Sequence, residues 1–353
     1  MAILEKSHLN FRPAWPPLKS SVMDDLNTQL FQEILLARQR VYQVAPPTPL
    51  EMLPLPLPGN YYLKREDRSP IHAYKWRGAF NKMALLDAAR LGRGVVTASA
   101  GNHAQGVALA ARQLGTQADV FMPQSTPEMK IQAVQYHGGD AVTIHLVGDT
   151  FDEALQKAQE VENQSGKCFV HAFNDLQVMG GQGTMADEIV MSGQGPFDFA
   201  FIQIGGGGLA AAISCWLKAY YPAIKIIGVE GEDQASMKAA VAAGEPVRLD
   251  YLDVFCDGTA VREAGNLTFS LCRETIDDFI TVSNEEVSAA VQDLWSAARC
   301  IPEPSGAMGL AGARKWGSDL DGKKVLLFLC GANMDFHQLG KMSREADLGA
   351  NRL

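Results

Sequence analysis

The chain has 353 residues, of which 47% are hydrophobic and 20% are charged, and its formal net charge is −9. This length predicts two domains with a cleft between them, because single cores stop growing near roughly 250 to 300 residues. The acidic balance excludes a basic surface for nucleic acid and favours a small metabolite as the partner.

The sequence contains no run of about 18 or more apolar residues, which excludes a membrane-spanning segment. Its six cysteines are scattered, without a CxxC pair, and no signal-like apolar stretch opens the chain. Reduced thiols of this kind are typical of a cytoplasmic protein.

The predicted elements begin after a proline-containing lead-in over residues 1–25, which we expect to be mobile. Apolar residues at helical spacing predict a helix from Asp25 to Val41. Beyond it, short β-like runs alternate with alanine-rich helical patterns, which predicts mainly parallel sheets covered by helices, an α/β architecture. The strand candidates are residues 61–64, 94–97, 118–122, 141–144, 199–204, 224–229 and 324–330. We place a large domain at residues 26–95 and 174–353, and a smaller inserted domain at residues 96–173.

The first motif with chemical potential is His72-Ala73-Tyr74-Lys75-Trp76-Arg77-Gly78-Ala79. A lysine must be neutral to attack an aldehyde or to accept a proton, and burial or a neighbouring cation such as Arg77 lowers its pKa. An isolated lysine here would ordinarily be a surface residue at the start of a helix. The motifs further along the chain favour a catalytic role for Lys75 instead.

The second motif, Thr97-Ala98-Ser99-Ala100-Gly101-Asn102-His103-Ala104-Gln105-Gly106, follows a predicted strand and opens a helix. A Ser-Ala-Gly turn at this point directs backbone N–H groups and a helix N-terminus toward one spot, which suits an anion such as a carboxylate. The alternative is an ordinary N-capped turn between a strand and a helix.

The third motif is the glycine tetrad Gly205-Gly206-Gly207-Gly208, followed by Leu209. Residues without side chains let the backbone fold closely around a phosphate, whose charge the N–H groups and the helix dipole stabilise. The tetrad alone is also compatible with a flexible hinge or a dinucleotide turn. Since Glu230 lies about 20 positions further on, an NAD enzyme remains open on this motif.

Two further segments lie near the end of the chain. Cys330 directly follows an apolar strand, and it is either a site residue or a buried core cysteine. Glu303 precedes Pro304-Ser305-Gly306-Ala307, where it either lies in the site or caps a helix.

Together these motifs resemble the serine/threonine dehydratase family of fold type II pyridoxal-phosphate enzymes, which are two-domain and tryptophan synthase β-like, and within it the threonine dehydratases. The resemblance runs from about Thr48 to Leu348. It implies that Lys75 holds pyridoxal 5'-phosphate as a Schiff base. The other residues that it implies at the cofactor are Asn102 at the ring oxygen, Gly205, Gly206, Gly207, Gly208 and Leu209 at the phosphate, Cys330 at the ring nitrogen, and Glu303 nearby. The residues that it implies at the substrate carboxylate are Ser99, Ala100, Gly101 and His103.

The implied activity is dehydration and deamination of L-threonine to 2-oxobutanoate and ammonia, and of L-serine to pyruvate, with isoleucine biosynthesis as a family role. Related racemases have serine at the position of Ala100, so alanine favours elimination. A dehydratase for another β-hydroxy amino acid, a cysteine or threonine synthase, a serine racemase and an inactive cofactor-binding protein remain alternatives.

The resemblance also implies a homodimer or homotetramer. Ser236 stands where the racemase cation site near Glu230 has a carboxylate, and we expect no metal. The chain ends at Leu353, so we expect no C-terminal regulatory domain and no feedback inhibition by isoleucine.

Overall fold

The computed structural model describes residues 20–350, with side chains described for residues 25–346. Helices and strands alternate along this range. The helices are α1 Ser20–Val41, α2 Trp76–Met83, α3 Ala88–Arg93, α4 Asn102–Leu114, α5 Glu128–Gly138, α6 Phe151–Ser165, α7 Leu176–Met191, α8 Gly208–Tyr220, α9 Ser236–Ala243, α10 Asn266–Thr275, α11 Asn284–Ala298, α12 Pro304–Trp316 and α13 Gln338–Ala350. The strands are β1 Leu50–Leu53, β2 Asn60–Arg65, β3 Val95–Ala98, β4 Ala118–Met122, β5 Val142–Leu146, β6 Cys168–Phe169, β7 Phe199–Gln203, β8 Lys225–Gly231, β9 Asp278–Val282 and β10 Lys324–Leu329.

The strands form two sheets. The larger sheet has the order β1-β2-β10-β7-β8-β9, and only its edge pair β1–β2 is antiparallel. The smaller sheet, with the order β5-β4-β3-β6, is parallel throughout. Helix-covered, mainly parallel sheets of this kind confirm the predicted α/β fold class.

The smaller sheet lies between Val95 and Phe169, which falls within the predicted small domain apart from its first residue. The domain boundaries themselves remain a prediction. Of the predicted lead-in, residues 1–19 lie outside the described residues, and residues 20–25 belong to α1.

The core of the larger sheet lies on both of its faces, because side chains alternate along each strand. On β7, Ala200 and Ile202 face a cluster that includes residues of α1, α7, α8 and α10. Phe201 faces the opposite cluster, which includes residues of α11, α12 and α13. None of the described helices has the length and apolar character that a membrane crossing requires.

The fold brings the predicted motifs together at one edge. β7 and β10 are parallel neighbours, so the glycine tetrad after β7 and Cys330 after β10 lie at the same end of the larger sheet. In α/β folds, loops at the carboxyl ends of parallel strands are the usual location of ligand sites.

Candidate active site

The loop that carries Lys75 is fixed against the chain that follows β10. The N–H of Tyr74 donates to the carbonyl of Cys330 at 3.1 Å, and the N–H of Ala332 donates to the carbonyl of His72 at 2.9 Å. His72 has φ of +53°, a conformation that non-glycine residues adopt only when the surrounding structure imposes it. Lys75 is therefore positioned by a strand end and by a strained residue three positions before it.

Lys75 lines a cavity with an empty volume of about 500 Å³, part of which is open to solvent. Its Nζ lies 5.5 Å from the centre of the Tyr74 ring. Burial lowers the pKa of Lys75, while Glu303, Cys330 and Asp257 act in the opposite direction. A lowered pKa increases the fraction of neutral amine, the form that acts as nucleophile and base.

The expectation that Arg77 lowers the pKa of Lys75 is wrong. Arg77 is fully buried, and its guanidinium pairs with Glu66 at 2.9 Å and with Glu188 at 2.6 Å. Lys64 also pairs with Glu188. Since both carboxylates neutralise the cations, this buried network fixes the start of α2 and leaves burial as the main cause of the shift at Lys75.

The glycine tetrad forms the turn from β7 into α8. Gly207 has φ of +91°, in the left-handed region, and no side chain caps the helix that begins at Gly208. A Cβ on Gly206 would lie 2.4 Å from the Phe173 ring, and one on Gly205 would lie 2.9 Å from the backbone of Thr259. The first N–H groups of a helix have no intrahelical partner. This uncapped N-terminus therefore suits an anion with closely approaching oxygens.

Asn102, at the start of α4, is joined to Glu303 and Asn333 across the cavity. Its Nδ2 donates to both oxygens of Glu303, at 2.8 and 3.0 Å, and its Oδ1 accepts from Nδ2 of Asn333 at 2.8 Å. The backbone N–H of Asn333 also donates to Glu303 at 3.2 Å. These contacts fix which way the Asn102 amide points.

Glu303 occupies the N-cap position of α12, but its side chain makes no capping hydrogen bond. The capping alternative is therefore wrong, because Asn102 and Asn333 bind the carboxylate instead. Burial and the charge of Asp257 raise the pKa of Glu303 to about 7, against the opposing effects of Asn102, Lys75 and Asn333. Near neutral pH the group exchanges readily between its charged and neutral forms.

Comparison with known proteins shows the family. Residues 41–331 match the family model described as pyridoxal-phosphate dependent enzyme. The chain belongs to this family. It is 45% identical to "L-threonine dehydratase biosynthetic IlvA" of Haemophilus influenzae over 318 residues, which are 89% of this chain and 61% of that protein. It is 43% identical to the Escherichia coli protein of the same name, over 89% of this chain and 62% of that protein. The chain thus spans about 61% of the length of these curated relatives.

Solved structures show the same likeness. The processed form of threonine deaminase isoform 2 from Solanum lycopersicum superposes with a TM-score of 0.85 at 40% identity, covering 90% of this chain and 94% of that chain. Maize serine racemase superposes with a TM-score of 0.81 at 27% identity, covering 91% and 98%. Dehydratases and racemases therefore share this fold.

The cavity of this pyridoxal-phosphate family member fits the cofactor that names the family. The uncapped start of α8 provides N–H groups for a phosphate, and the Lys75 amine at the same cavity provides a partner for an aldehyde. The N–H groups at the start of α8 and the Lys75 amine therefore show the fit from this chain alone. All the residues predicted to bind the cofactor line the cavity: Lys75, Asn102, Gly205, Gly206, Gly207, Gly208, Leu209, Cys330 and Glu303.

Cys330 is buried at the end of β10, and burial raises the pKa of its thiol well above the ordinary value, with Glu66 and Glu303 adding to the effect. The group is therefore a neutral S–H at physiological pH. A thiol is a weaker hydrogen-bond partner than a hydroxyl. Cys330 is thus buried and also lines the cavity, and its contact with the cofactor stays a prediction.

The residues predicted at the substrate carboxylate, Ser99, Ala100, Gly101 and His103, do not themselves line the cavity, although they flank Asn102, which does. The Ser99 hydroxyl accepts from the N–H of Gly101 at 3.3 Å. His103 is buried, and Nε2 donates to the carbonyl of Val170 at 2.9 Å. Burial lowers the pKa of His103 to about 3, so the ring is neutral and its Nδ1 is unprotonated.

Phe173 and Gln203 line the cavity but belong to none of the sequence motifs. Gln203 donates from Nε2 to the carbonyl of Phe328 at 2.8 Å, while its buried Oε1 has no hydrogen-bond partner among the described residues. The sequence signal for Gln203 was its place two residues before the tetrad, at the end of a predicted strand. Phe173 is recognisable only from the structure, because it approaches Gly206 from a distant part of the chain.

Glu230, considered above for an acidic dinucleotide contact or a cation site, caps α9. Its carboxylate accepts from the backbone N–H groups of Met237 at 2.8 Å and Lys238 at 2.9 Å. Burial raises the pKa of Glu230 to about 8 against these two hydrogen bonds. The carboxylate is thus engaged by helix N–H groups.

Proposed function

We propose that this protein converts L-threonine to 2-oxobutanoate and ammonia, with pyridoxal 5'-phosphate held by Lys75. The observation that carries the proposal is a lysine of lowered pKa in a cavity shared with the glycine tetrad and with Asn102. The relatives named as threonine dehydratases support the choice of substrate. Activity on L-serine, giving pyruvate, belongs to the same proposal.

In this mechanism the cofactor supplies an electron-withdrawing group that makes the α-proton of the amino acid acidic. Lys75 would hold the cofactor through its side-chain amine, and the same amine, when free, would accept the α-proton of the substrate at Nζ. Because burial lowers the pKa of Lys75, it increases the fraction of neutral amine that can accept that proton.

The other cofactor contacts divide between the two ends of the cavity. The N–H groups of residues 205–209 would hold the phosphate at the start of α8. At the other end, Asn102, with its amide oriented by Glu303, would meet the ring oxygen, and Cys330 would meet the ring nitrogen. The neutral thiol of Cys330 would provide no counter-charge for a protonated ring nitrogen.

The turn before α4 binds the substrate carboxylate in this proposal. Gly101 is its N-cap residue and makes no side-chain cap, so the helix N-terminus is available to an anion. Ser99, Ala100, Gly101 and His103 belong to this turn.

Replacing Ala100 by serine is expected to raise racemisation of L-serine by about 10²-fold, because a positioned hydroxyl can donate a proton to the substrate face opposite Lys75. Chiral chromatography of the serine product measures this rate. Ala88→Ser, at an exposed position on α3, is the control and should leave racemisation at the wild-type level. Unchanged racemisation in an Ala100→Ser protein that still eliminates water would count against this assignment.

The alternatives are separated by a keto-acid assay on threonine, serine and bulkier β-hydroxy amino acids. Threonine and serine differ by one methyl group, so we expect kcat/KM values within roughly 10- to 200-fold of each other. Faster reaction of a bulkier substrate would indicate another dehydratase, and D-serine without keto acid would indicate a racemase. Cofactor binding without any turnover would indicate an inactive binding protein.

A homodimer or homotetramer and a cytoplasmic location complete the proposal. The six cysteines are all free thiols, which agrees with a reducing compartment. Light scattering of the purified protein gives the oligomeric mass.

A further inference from the structure

The segment between β6 and α7 contains a histidine whose ring acts as a backbone acceptor. His171 Nδ1 accepts from the N–H of Phe173 at 3.1 Å and from the N–H of Asn174 at 2.9 Å. Two donors at one nitrogen require that nitrogen to be unprotonated, so the proton of the neutral ring lies on Nε2. The ring thereby holds residues 171–174 in a turn.

This turn places Phe173 directly on the glycine tetrad. A Cβ on Gly206 would lie 2.4 Å from the Phe173 ring, and a Cβ on Gly208 would lie 2.9 Å from Phe173 Cβ. The ring also lines the cavity and packs edge-on against His171, with ring centres 4.6 Å apart. Phe173 therefore forms the wall that faces the start of α8.

A second contact ties the turn to the tetrad from another side. Asn174 Oδ1 accepts from the N–H of Leu267 at 3.0 Å, at the start of α10. On the same helix, the Thr268 hydroxyl donates to the carbonyl of Gly206 at 2.6 Å. A displacement of the 171–174 turn would thus reach the tetrad through both Phe173 and α10.

We propose that His171 is a positioning residue for the phosphate site: its unprotonated Nδ1 fixes the turn that seats Phe173 across Gly206 and Gly208. The inference rests on the proposed function, in which the tetrad holds the cofactor phosphate. It assigns to His171 no contact with the cofactor or the substrate.

The surroundings of His171 favour the neutral ring. Burial lowers its pKa below the ordinary value of 6.5, and Asp175, from the same segment, acts in the opposite direction. Asp175 is itself paired with Lys82 of α2 at 2.8 Å. From α4, His103 is neutral. Nδ1 is thus unprotonated at neutral pH. The turn is released only as the pH falls below 6.5, through the lowered pKa of His171.

The test is the dissociation constant of pyridoxal phosphate, measured by absorbance between about pH 5 and 8, the range in which histidine titrates. His171→Asn retains a side-chain acceptor that does not titrate. A short side chain can accept from the N–H groups two and three residues ahead, because Asp175 accepts in this way from Gln177 at 2.8 Å and from Val178 at 3.0 Å. His171→Leu removes the acceptor. Thermal unfolding of each apoprotein reports whether the fold is retained.

We expect the Leu variant to bind the cofactor about tenfold more weakly than the wild type at pH 8, the effect of losing one hydrogen-bond acceptor. The two affinities should converge at low pH, where protonation of Nδ1 removes the same acceptor from the wild type. The Asn variant should match the wild type at pH 8 and lose less affinity than the wild type below pH 6.5. Wild-type affinity in the Leu variant at pH 8, or a wild-type pH profile in the Asn variant, overturns the inference while leaving the proposed function intact. A wild-type protein that binds no cofactor at any pH removes both.

Discussion

Replacing Lys75 by alanine is expected to lower 2-oxobutanoate production from threonine by about 10³-fold or more, because the variant loses both the cofactor-holding amine and the base. The fold should persist. Lys75 makes no side-chain capping hydrogen bond at the start of α2, and its Nζ forms no ion pair with any described residue, so truncation leaves no buried charge without a partner. The rate is measured with saturating pyridoxal phosphate.

The control for this experiment is Lys157→Ala. Lys157 pairs with Glu160 at the surface of α6 and is 53% exposed, so its removal should leave turnover at the wild-type level. An alanine variant of Lys75 that keeps turnover within about tenfold of the wild type would remove the central role of this residue.

Replacing Gly207 by alanine is expected to weaken pyridoxal-phosphate binding by about 10- to 100-fold. With φ of +91°, an alanine is strained by roughly 1–3 kcal/mol. Its Cβ would also lie 2.4 Å from Met237 Cε and 2.9 Å from Thr268 Cβ. The turn must shift to relieve both, which moves the N–H groups that we propose for the phosphate. Titration of the apoprotein with cofactor gives the affinity.

Gly193→Ala is the matched control. Gly193 also has positive φ, +69°, but a Cβ there meets open space. An alanine at Gly193 would therefore have backbone strain similar to that of one at Gly207, but it would crowd no neighbour. Because Gly193 does not line the cavity, cofactor affinity should not change. If Gly207→Ala binds the cofactor as tightly as the Gly193 variant, the tetrad turn is not the phosphate site.

The central strands of the fold were predictable, and several edge strands were not. β4 has the predicted bounds, and β2, β3, β7, β8 and β10 each lie within two residues of theirs, because buried parallel strands are short apolar runs between helices. β1 was hidden in a proline-rich stretch, and β9 begins with an aspartate. Edge strands such as these form because a neighbouring strand offers backbone hydrogen bonds. The local residue pattern does not record those hydrogen bonds, so it does not predict the strand.

The candidate site divides along the same line. The resemblance placed the tetrad and Cys330 in one site, and the structure brings them together because they follow the adjacent parallel strands β7 and β10. The partner of Glu303 could not be predicted, since Asn102 lies 201 positions away. The prediction that Arg77 lowers the pKa of Lys75 rested on their closeness in sequence. In the structure, Arg77 pairs instead with Glu188, which is 111 positions away in the chain. Tertiary partners decide the charge of these groups.

The most direct test of the account is a visible absorption spectrum of the apoprotein titrated with pyridoxal phosphate, followed by borohydride reduction and peptide mass mapping. We predict a yellow protein, a spectral change on addition of threonine, and the mass of the reduced cofactor on Lys75. A protein that stays colourless at saturating cofactor, or one that carries the label on another lysine, would contradict the account.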